Sequence, residues 1–304
     1  MRAGLVDTRG RIVRRAATET RARDGLDAVL DRIANLVREV CADIPLTDVA
    51  AIALAVPGPV DSTTHVVRFA PNLGWENVAV CDLLRARLGR PILVGNDANL
   101  AALGEHRFGA GRGIDHMIYI TVSTGVGGGI IVDGRLLLGQ HGYAAEIGHH
   151  IVVAEGPRCG CGNRGCLEAV ASGTAIAREA RAAVREGKAT RLREMCDGDA
   201  DRVDARMVTE AARAGDEVAR EILQRAGYYL GIGIVNLLHI FNPRRIILGG
   251  GVMGAGALVS EPMWAAVRER GHPIYLEDFD IVPAALGDDA GILGAAALAM
   301  AGDG

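Results

Sequence analysis

His149 and the run Cys159-Gly-Cys161-Gly-Asn-Arg-Gly-Cys166 place three thiols and one imidazole in a short stretch of chain. That donor set closes a tetrahedron around Zn²⁺ and leaves no position open for water, the chemistry of a structural site. The glycines between the thiols let the backbone fold tightly around an ion. A Cys-x-Cys pair cannot easily bridge within itself, and Cys41, Cys81 and Cys196 are scattered. The cluster therefore reads as metal ligands rather than as ordinary buried thiols or a disulfide framework. Zinc-finger peptides gain ~10–16 kcal/mol from such a site, so loss of the ion is expected to melt this loop.

Other segments carry groups for substrate chemistry. Asn96-Asp97-Ala98-Asn99 follows a buried apolar run, the place where open α/β sheets bind ligands. Asp97 can accept a proton from a substrate hydroxyl there; the same tetrapeptide also suits a helix N-cap for backbone reasons alone. In Thr121-Val-Ser-Thr-Gly-Val-Gly-Gly-Gly129, Thr124 and Gly125 offer a hydroxyl and unobstructed backbone N–H groups suited to phosphate oxygens. A glycine-rich hairpin turn has the same composition. The run lacks the Rossmann pattern, because Ile130 stands where its last glycine belongs. Gly249-Gly250-Gly251 after Ile246-Ile247-Leu248 is a second, weaker loop of this kind. Glu146 and Glu168 flank the proposed metal ligands and can bind sugar hydroxyls or simply form a solvated acidic rim.

The elements that must position these groups are legible from periodicity. Residues 26–42 place apolar side chains on one helical face, and 49–56 form a buried strand ended by Pro57-Gly58-Pro59. A short helix at 83–88, a buried strand at 91–94 and a helix running to Glu105 follow. That alternation predicts a mostly parallel α/β sheet. The glycines around 108–113 mark a boundary. Beyond it the pattern predicts strands at 117–122 and 129–132, helices at 174–186, 209–214 and 218–240, a strand at 245–248 and a last helix at 291–300. Ile131-Val132-Asp133-Gly134-Arg135-Leu136 echoes Leu5-Val6-Asp7 with Arg9-Gly10-Arg11-Ile12, as two copies of a strand and its turn. The echo suggests duplicated halves, the first lacking an opening strand and loop.

Composition excludes several classes. The chain has 304 residues, 49% hydrophobic and 23% charged, enough for two domains with their own cores. A net charge of -4 gives no general reason to hold nucleic acid or an anionic membrane, and no apolar run approaches the ~20 residues of a span. Lys188 is the only lysine and sits in Gly-Lys-Ala, which removes a Walker-type phosphate loop. The arginine-rich opening has no apolar stretch after Arg14-Arg15, so an export signal is not expected and a reducing cytoplasm is the default.

Taken in order, these segments resemble the ROK family of sugar kinases and repressors, within the actin-like ATPase superfamily. The match rests on Val56-Pro-Gly-Pro-Val-Asp61, Asn72-Leu-Gly-Trp75, Asn96-Asp-Ala-Asn99, the 121–129 run, Glu146-Ile-Gly-His149, the 159–168 run, residues 247–252 and Asp289-Ala-Gly-Ile-Leu-Gly294. The resemblance implies two actin-like (ribonuclease H-like) α/β domains around a central cleft. The first would cover 1–112, with 290–304 packing back on it; the second would cover 113–289 and carry the metal loop 149–168. The all-cysteine loop favours glucokinase-like members over family fructokinases. The implied activity is transfer of the γ-phosphoryl group of ATP, with Mg²⁺, to the 6-hydroxyl of a hexose, glucose first.

By the same resemblance Asp97 is the general base and Asn96 binds beside it. Gly58, Asn72, Glu146, His149 and Glu168 lie on the sugar side; Thr124, Gly125, Gly250 and Gly251 lie on the nucleotide side. His149 serves twice, one nitrogen towards Zn²⁺ and the other towards sugar. A homodimer is implied, without nucleic-acid or membrane partners. Family kinases open with a strand ending in Asp-x-Gly-Gly-Thr before the segment matching residues 2–13, and that first phosphate loop is absent here, leaving the N-terminal domain incomplete. Either Met1 is a misplaced start or the chain is a natural remnant, and the first is the expectation. Because the family places that strand mid-sheet, buried backbone groups left unpaired at ~1–3 kcal/mol each predict a poor kinase and a poor folder. The alternative function is the sugar-sensing part of a ROK repressor, which carries a helix-turn-helix ahead of these motifs.

Overall fold

The computed structural model describes residues 1–301. It opens with strands β1 (Arg2–Val6) and β2 (Ile12–Ala17), helix α1 (Leu26–Cys41) and strands β3 (Ile52–Val56), β4 (Val67–Ala70) and β5 (Trp75–Val78). Then come α2 (Val80–Leu88), β6 (Ile92–Asn96), α3 (Asp97–Phe108), β7 (Met117–Val122), β8 (Val126–Val132) and β9 (Arg135–Leu136). The helices α4 (Leu167–Ala171), α5 (Gly173–Arg185), α6 (Leu192–Met195), α7 (Ala205–Arg213) and α8 (Glu217–Phe241) follow. The described chain closes with β10 (Arg245–Gly249), α9 (Ala257–Arg270), β11 (Asp280–Pro283) and α10 (Ala290–Ala301). None of these helices is long and apolar enough to cross a membrane.

Two compact units form. The first holds Met1–Tyr119, Gly129–Ala145 and the segment from Ala284 onward; the second holds Ile120–Gly128 and Glu146–Pro283. In the first unit the mostly parallel sheet expected from the sequence is divided into strand pairs. β3 pairs in parallel with β6, from Ile52 opposite Ile92 to Val56 opposite Asn96, while β1–β2 and β4–β5 are separate antiparallel pairs. No strand among the described residues bridges β1–β2 to β3–β6. The core between α1, α2, β3 and β6 is built from Val29, Leu30, Val56, Leu84 and Val94, of which Val29 and Leu30 belong to the helical face read from the sequence. Helix α10 packs on α3 at very close range, because Gly104 and Gly294 face each other: a Cβ on Gly294 would lie 2.0 Å from the Leu100 carbonyl oxygen.

A five-stranded sheet runs in the order β11-β10-β7-β8-β9, with β10 and β11 parallel and β8 and β9 antiparallel. The echoed segments do fold alike: β1 turns through Asp7 and Gly10 into β2, and β8 turns through Asp133 and Gly134 into β9. In the second unit α8 is capped by Asp216, whose side chain accepts from the Ala219 N–H. Helix α9, which periodicity did not reveal, lies against α8 over Gly227 and Gly231, whose missing side chains admit the Val259 and Met263 carbonyls.

Candidate active site and metal centre

The loop from Glu146 to Glu168 is shaped by its own backbone. The Cys159 N–H donates to Asn163 O and the Gly162 N–H to Cys159 O, while Gly165 O accepts from both Val152 and Val153. Gly165 has φ +69° and a Cβ there would fall 1.6 Å from Val153 O, so only glycine fits. This fold gathers the ligand atoms of His149, Cys159, Cys161 and Cys166 within 4.8 Å of one another. Cys161 Sγ and Cys166 Sγ are 3.7 Å apart, as are Cys159 Sγ and His149 Nδ1. A tetrahedral ion with thiolate bonds of ~2.3 Å spaces its sulfurs about 3.8 Å apart, so the four residues fit a bound metal ion. Burial pushes the Cys159 thiol up to about 12 and raises Cys166, while the Asn163 N–H lowers Cys161. Two of the three thiols thus resist ionisation on their own, and a cation is what would stabilise them as thiolates.

Around that cluster the second unit collects Glu146 and Glu168, expected from the sequence on the sugar side. His149 turns Nε2 towards Glu146, 3.9 Å from its Oε2, while Nδ1 faces Cys159. Glu168 stands in the first turn of α4; its Oε2 accepts from the Val126 N–H at 3.0 Å, and Cys159 Sγ lies 3.6 Å from Oε1. Gly148 presses on the same residue, since a Cβ there would sit 2.0 Å from Val126 O. Sequence reasoning did not single out Val126, because its contribution is a peptide group and not a side chain.

The β7–β8 turn is held from the other side by α5. The Gly173 N–H donates to Ser123 O at 2.7 Å, and Thr174 donates to Thr124 O from both N–H and Oγ1. Ser123, Thr124, Thr174, Arg181, Arg213 and Gly251 contribute to the lining of a cavity of about 590 Å³. Gly250, at φ +91°, lies against the Val122 backbone, where a Cβ would be 2.3 Å from its oxygen. Gly251 has nothing within 4 Å of the place its Cβ would take, an opening onto that cavity. Arg181 and Arg213 carry no sequence signal of their own; the fold alone brings them here.

The remaining predicted residues belong to the first unit. Asn96 caps α3, its Oδ1 accepting from the Ala98 and Asn99 N–H groups, and its Nδ2 donates to Gly58 O at 3.0 Å. Gly58 takes φ +83° beneath Phe69 O, where a Cβ would lie at 2.1 Å. Asp97 opens α3 with an exposed side chain; desolvation by the protein crowded around it raises its carboxyl above the ordinary value, against the lowering effect of the Ala98 and Asp97 N–H groups. Asn72 is exposed in the 3-10 turn Pro71–Leu73. Asp61, to which the sequence assigned no role, is buried and accepts from Thr63 N–H, Thr64 N–H, Arg68 and Tyr143 Oη. The Thr64 N–H and the Arg68 guanidinium hold its carboxyl well below the usual carboxylate range. Its partner Tyr143 lies in the segment that leads directly into Glu146.

The ROK family model matches residues 1–301. This chain belongs to the ROK family. A glucokinase of Thermotoga maritima is 38% identical over 296 residues, covering 97% of this chain and 92% of that protein. The crystal structure of a ROK family glucokinase from Streptomyces griseus in complex with glucose and AMPPNP superposes with a TM-score of 0.82 at 38% identity, covering 98% of this chain and 95% of that one. The xylose repressor of Bacillus subtilis is 31% identical, covering 82% of this chain and 60% of the repressor. The ROK fold found here is the α/β actin-like ATPase fold, as read from the motifs.

Proposed function

We propose that this chain is an ATP-dependent glucokinase, moving the γ-phosphoryl group of ATP to the 6-hydroxyl of glucose. The observation that carries the reading is the convergence of Glu146, His149 and Glu168 on the Cys₃His cluster, next to the Thr124–Gly125 turn. Relatives named glucokinases, similar over nearly their whole length, point the same way. In this reading the two domains run 1–112 with 290–304, and 113–289.

Phosphoryl transfer asks chiefly for positioning and charge neutralisation, so one base and several well-placed donors suffice. Asp97 takes the proton of the sugar hydroxyl at a carboxylate oxygen, and the cap bonds of Asn96 hold the start of α3 that presents it. Gly58 and Asn72 lie on the sugar side of that unit. Glu146, His149 and Glu168 bind ring hydroxyls, whose paired donor and acceptor character suits carboxylates and an imidazole. Thr124, Gly125, Gly250 and Gly251 line the nucleotide side. His149, Cys159, Cys161 and Cys166 would hold Zn²⁺, which supplies fixed geometry rather than a catalytic water, and Mg²⁺ accompanies ATP to offset phosphate charge.

A coupled assay of the metal-replete protein, alone and with a strand ending in Asp-x-Gly-Gly-Thr placed ahead of Met1, across glucose, mannose and N-acetylated hexoses, with ATP or polyphosphate as donor, tests the reading. Turnover highest with glucose and ATP is the expected result. Similarity to xylose repressors favours a second reading, sugar sensing without transfer. Sugar binding with no turnover under any donor would select it.

A further inference from the structure

Glu168 and the phosphate-side turn are not independent parts. Oε2 of Glu168 takes the Val126 N–H at 3.0 Å, and the space between that carboxylate and the turn is empty only because residue 125 has no side chain. A Cβ on Gly125 would lie 2.3 Å from Glu168 Oε2, with the carboxyl carbon at 3.3 Å. Real Cβ atoms do not tolerate that distance, and the group that would yield is the mobile end of a side chain rather than backbone. An added methyl would therefore displace the carboxylate and leave the turn in place. Gly148 of Glu146-Ile-Gly-His149 packs on the carbonyl oxygen of the same residue, Val126. The N–H and the C=O of one residue, Val126, thus meet Glu168 and the Glu146–His149 motif.

The turn itself cannot drift to compensate. Ser123 O and Thr124 O are bound by the N–H groups of Gly173 and Thr174, and the Thr174 hydroxyl adds a second bond to Thr124 O at 2.7 Å. Ser123 and Thr124 face the 590 Å³ cavity while Val126, two residues on, holds Glu168. A change in the turn at one end is felt at the other through three peptide units of fixed backbone.

We propose that Gly125 and the Val126 peptide are positioning elements for Glu168, so that Gly125 sets sugar affinity directly and links it to occupancy of the adjoining cavity. This rests on the glucokinase reading, in which Glu168 binds a ring hydroxyl. Glycine is then demanded at 125 by the sugar carboxylate, in addition to any approach of phosphate. Oε2 of Glu168 is committed to the Val126 N–H and Oε1 lies beside Cys159 Sγ, which fixes the carboxylate before sugar arrives and reduces the ordering cost of binding. Because binding free energies are reciprocal, any ligand that orders the turn strengthens sugar binding by the factor that sugar strengthens that ligand's binding.

The test uses the full, metal-replete chain and isothermal titration with glucose alone, AMP-PNP alone and glucose at saturating AMP-PNP. In the wild type, glucose Kd should fall at least fivefold when AMP-PNP is present. In Gly125→Ala, nucleotide-free glucose Kd should rise at least tenfold, with Tm within about 3 °C of wild type, and glucose KM should rise at saturating ATP. A nucleotide-free glucose Kd within threefold of wild type would overturn the inference, whatever happens to AMP-PNP binding. If Gly125→Ala does not fold, the wild-type titrations decide alone: equal glucose Kd with and without AMP-PNP overturns the inference. A wild type that binds glucose and fails only this test leaves the glucokinase reading standing; one that binds no monosaccharide removes both.

Discussion

Asn96 and Gly58, thirty-eight positions apart, are joined by a 3.0 Å hydrogen bond from the Asn96 side-chain amide to the Gly58 carbonyl. The same amide caps α3 through its oxygen, so one residue fixes both the Pro57-Gly58-Pro59 turn and the helix start that carries Asp97. An N-cap of this kind is worth ~0.5–2 kcal/mol. Asn96→Ala should therefore lower Tm by several degrees and reduce kcat, while Asn96→Asp keeps the cap and loses the Gly58 bond. A thermal scan of both variants checks this; equal stability of all three proteins would contradict it.

Asp97→Asn should abolish turnover and leave glucose binding within a few-fold of wild type. Titration calorimetry and a coupled assay on the same preparation separate the two effects. Retained kcat would remove Asp97 from the base position.

The acid limb of kcat/KM follows from the raised carboxyl of Asp97. A base must be ionised to accept a proton, and a raised value means that this form is lost at higher pH than for an ordinary aspartate. Activity should thus fall as pH drops through a value above 3.8, the unperturbed figure. A pH profile of kcat/KM that stays flat down to that figure would contradict the assignment.

Asp61 behaves in the opposite sense. Its folded value is depressed, so its contribution to stability is complete above the unperturbed value of 3.8 and is lost as pH falls from there towards the folded value. Asp61→Asn should be less stable than wild type at neutral pH, and the gap should narrow below about pH 4. Tyr143→Phe removes one of the four partners, at an exposed ring, and should raise glucose KM more than it lowers Tm. Chemical denaturation at several pH values, with steady-state kinetics, measures both.

Elemental analysis should find about one zinc per chain, and a strong chelator should lower Tm and abolish glucose binding together. Gly165→Ala, whose Cβ meets Val153 O at 1.6 Å, should lose the ion as effectively as Cys166→Ala. A zinc-free protein that folds and binds glucose would overturn the metal assignment.

What the sequence determined by itself was whatever depends on residues close together along the chain. The Cys159–Cys166 knuckle, the apolar face of α1 and the long helix α8 are local patterns, and the structure contains each of them. Helix α9 escaped notice because Pro262 stands inside it and its apolar residues keep no single stripe; its place comes from the glycine face of α8. Only the tertiary structure decided that Glu168 leans on the Val126 N–H, that Tyr143 reaches Asp61, and that Asn96 reaches Gly58. Each of these joins groups far apart in sequence, several through backbone atoms that every residue possesses. Residue type cannot mark a peptide N–H as special; only the fold that buries it beside a carboxylate can.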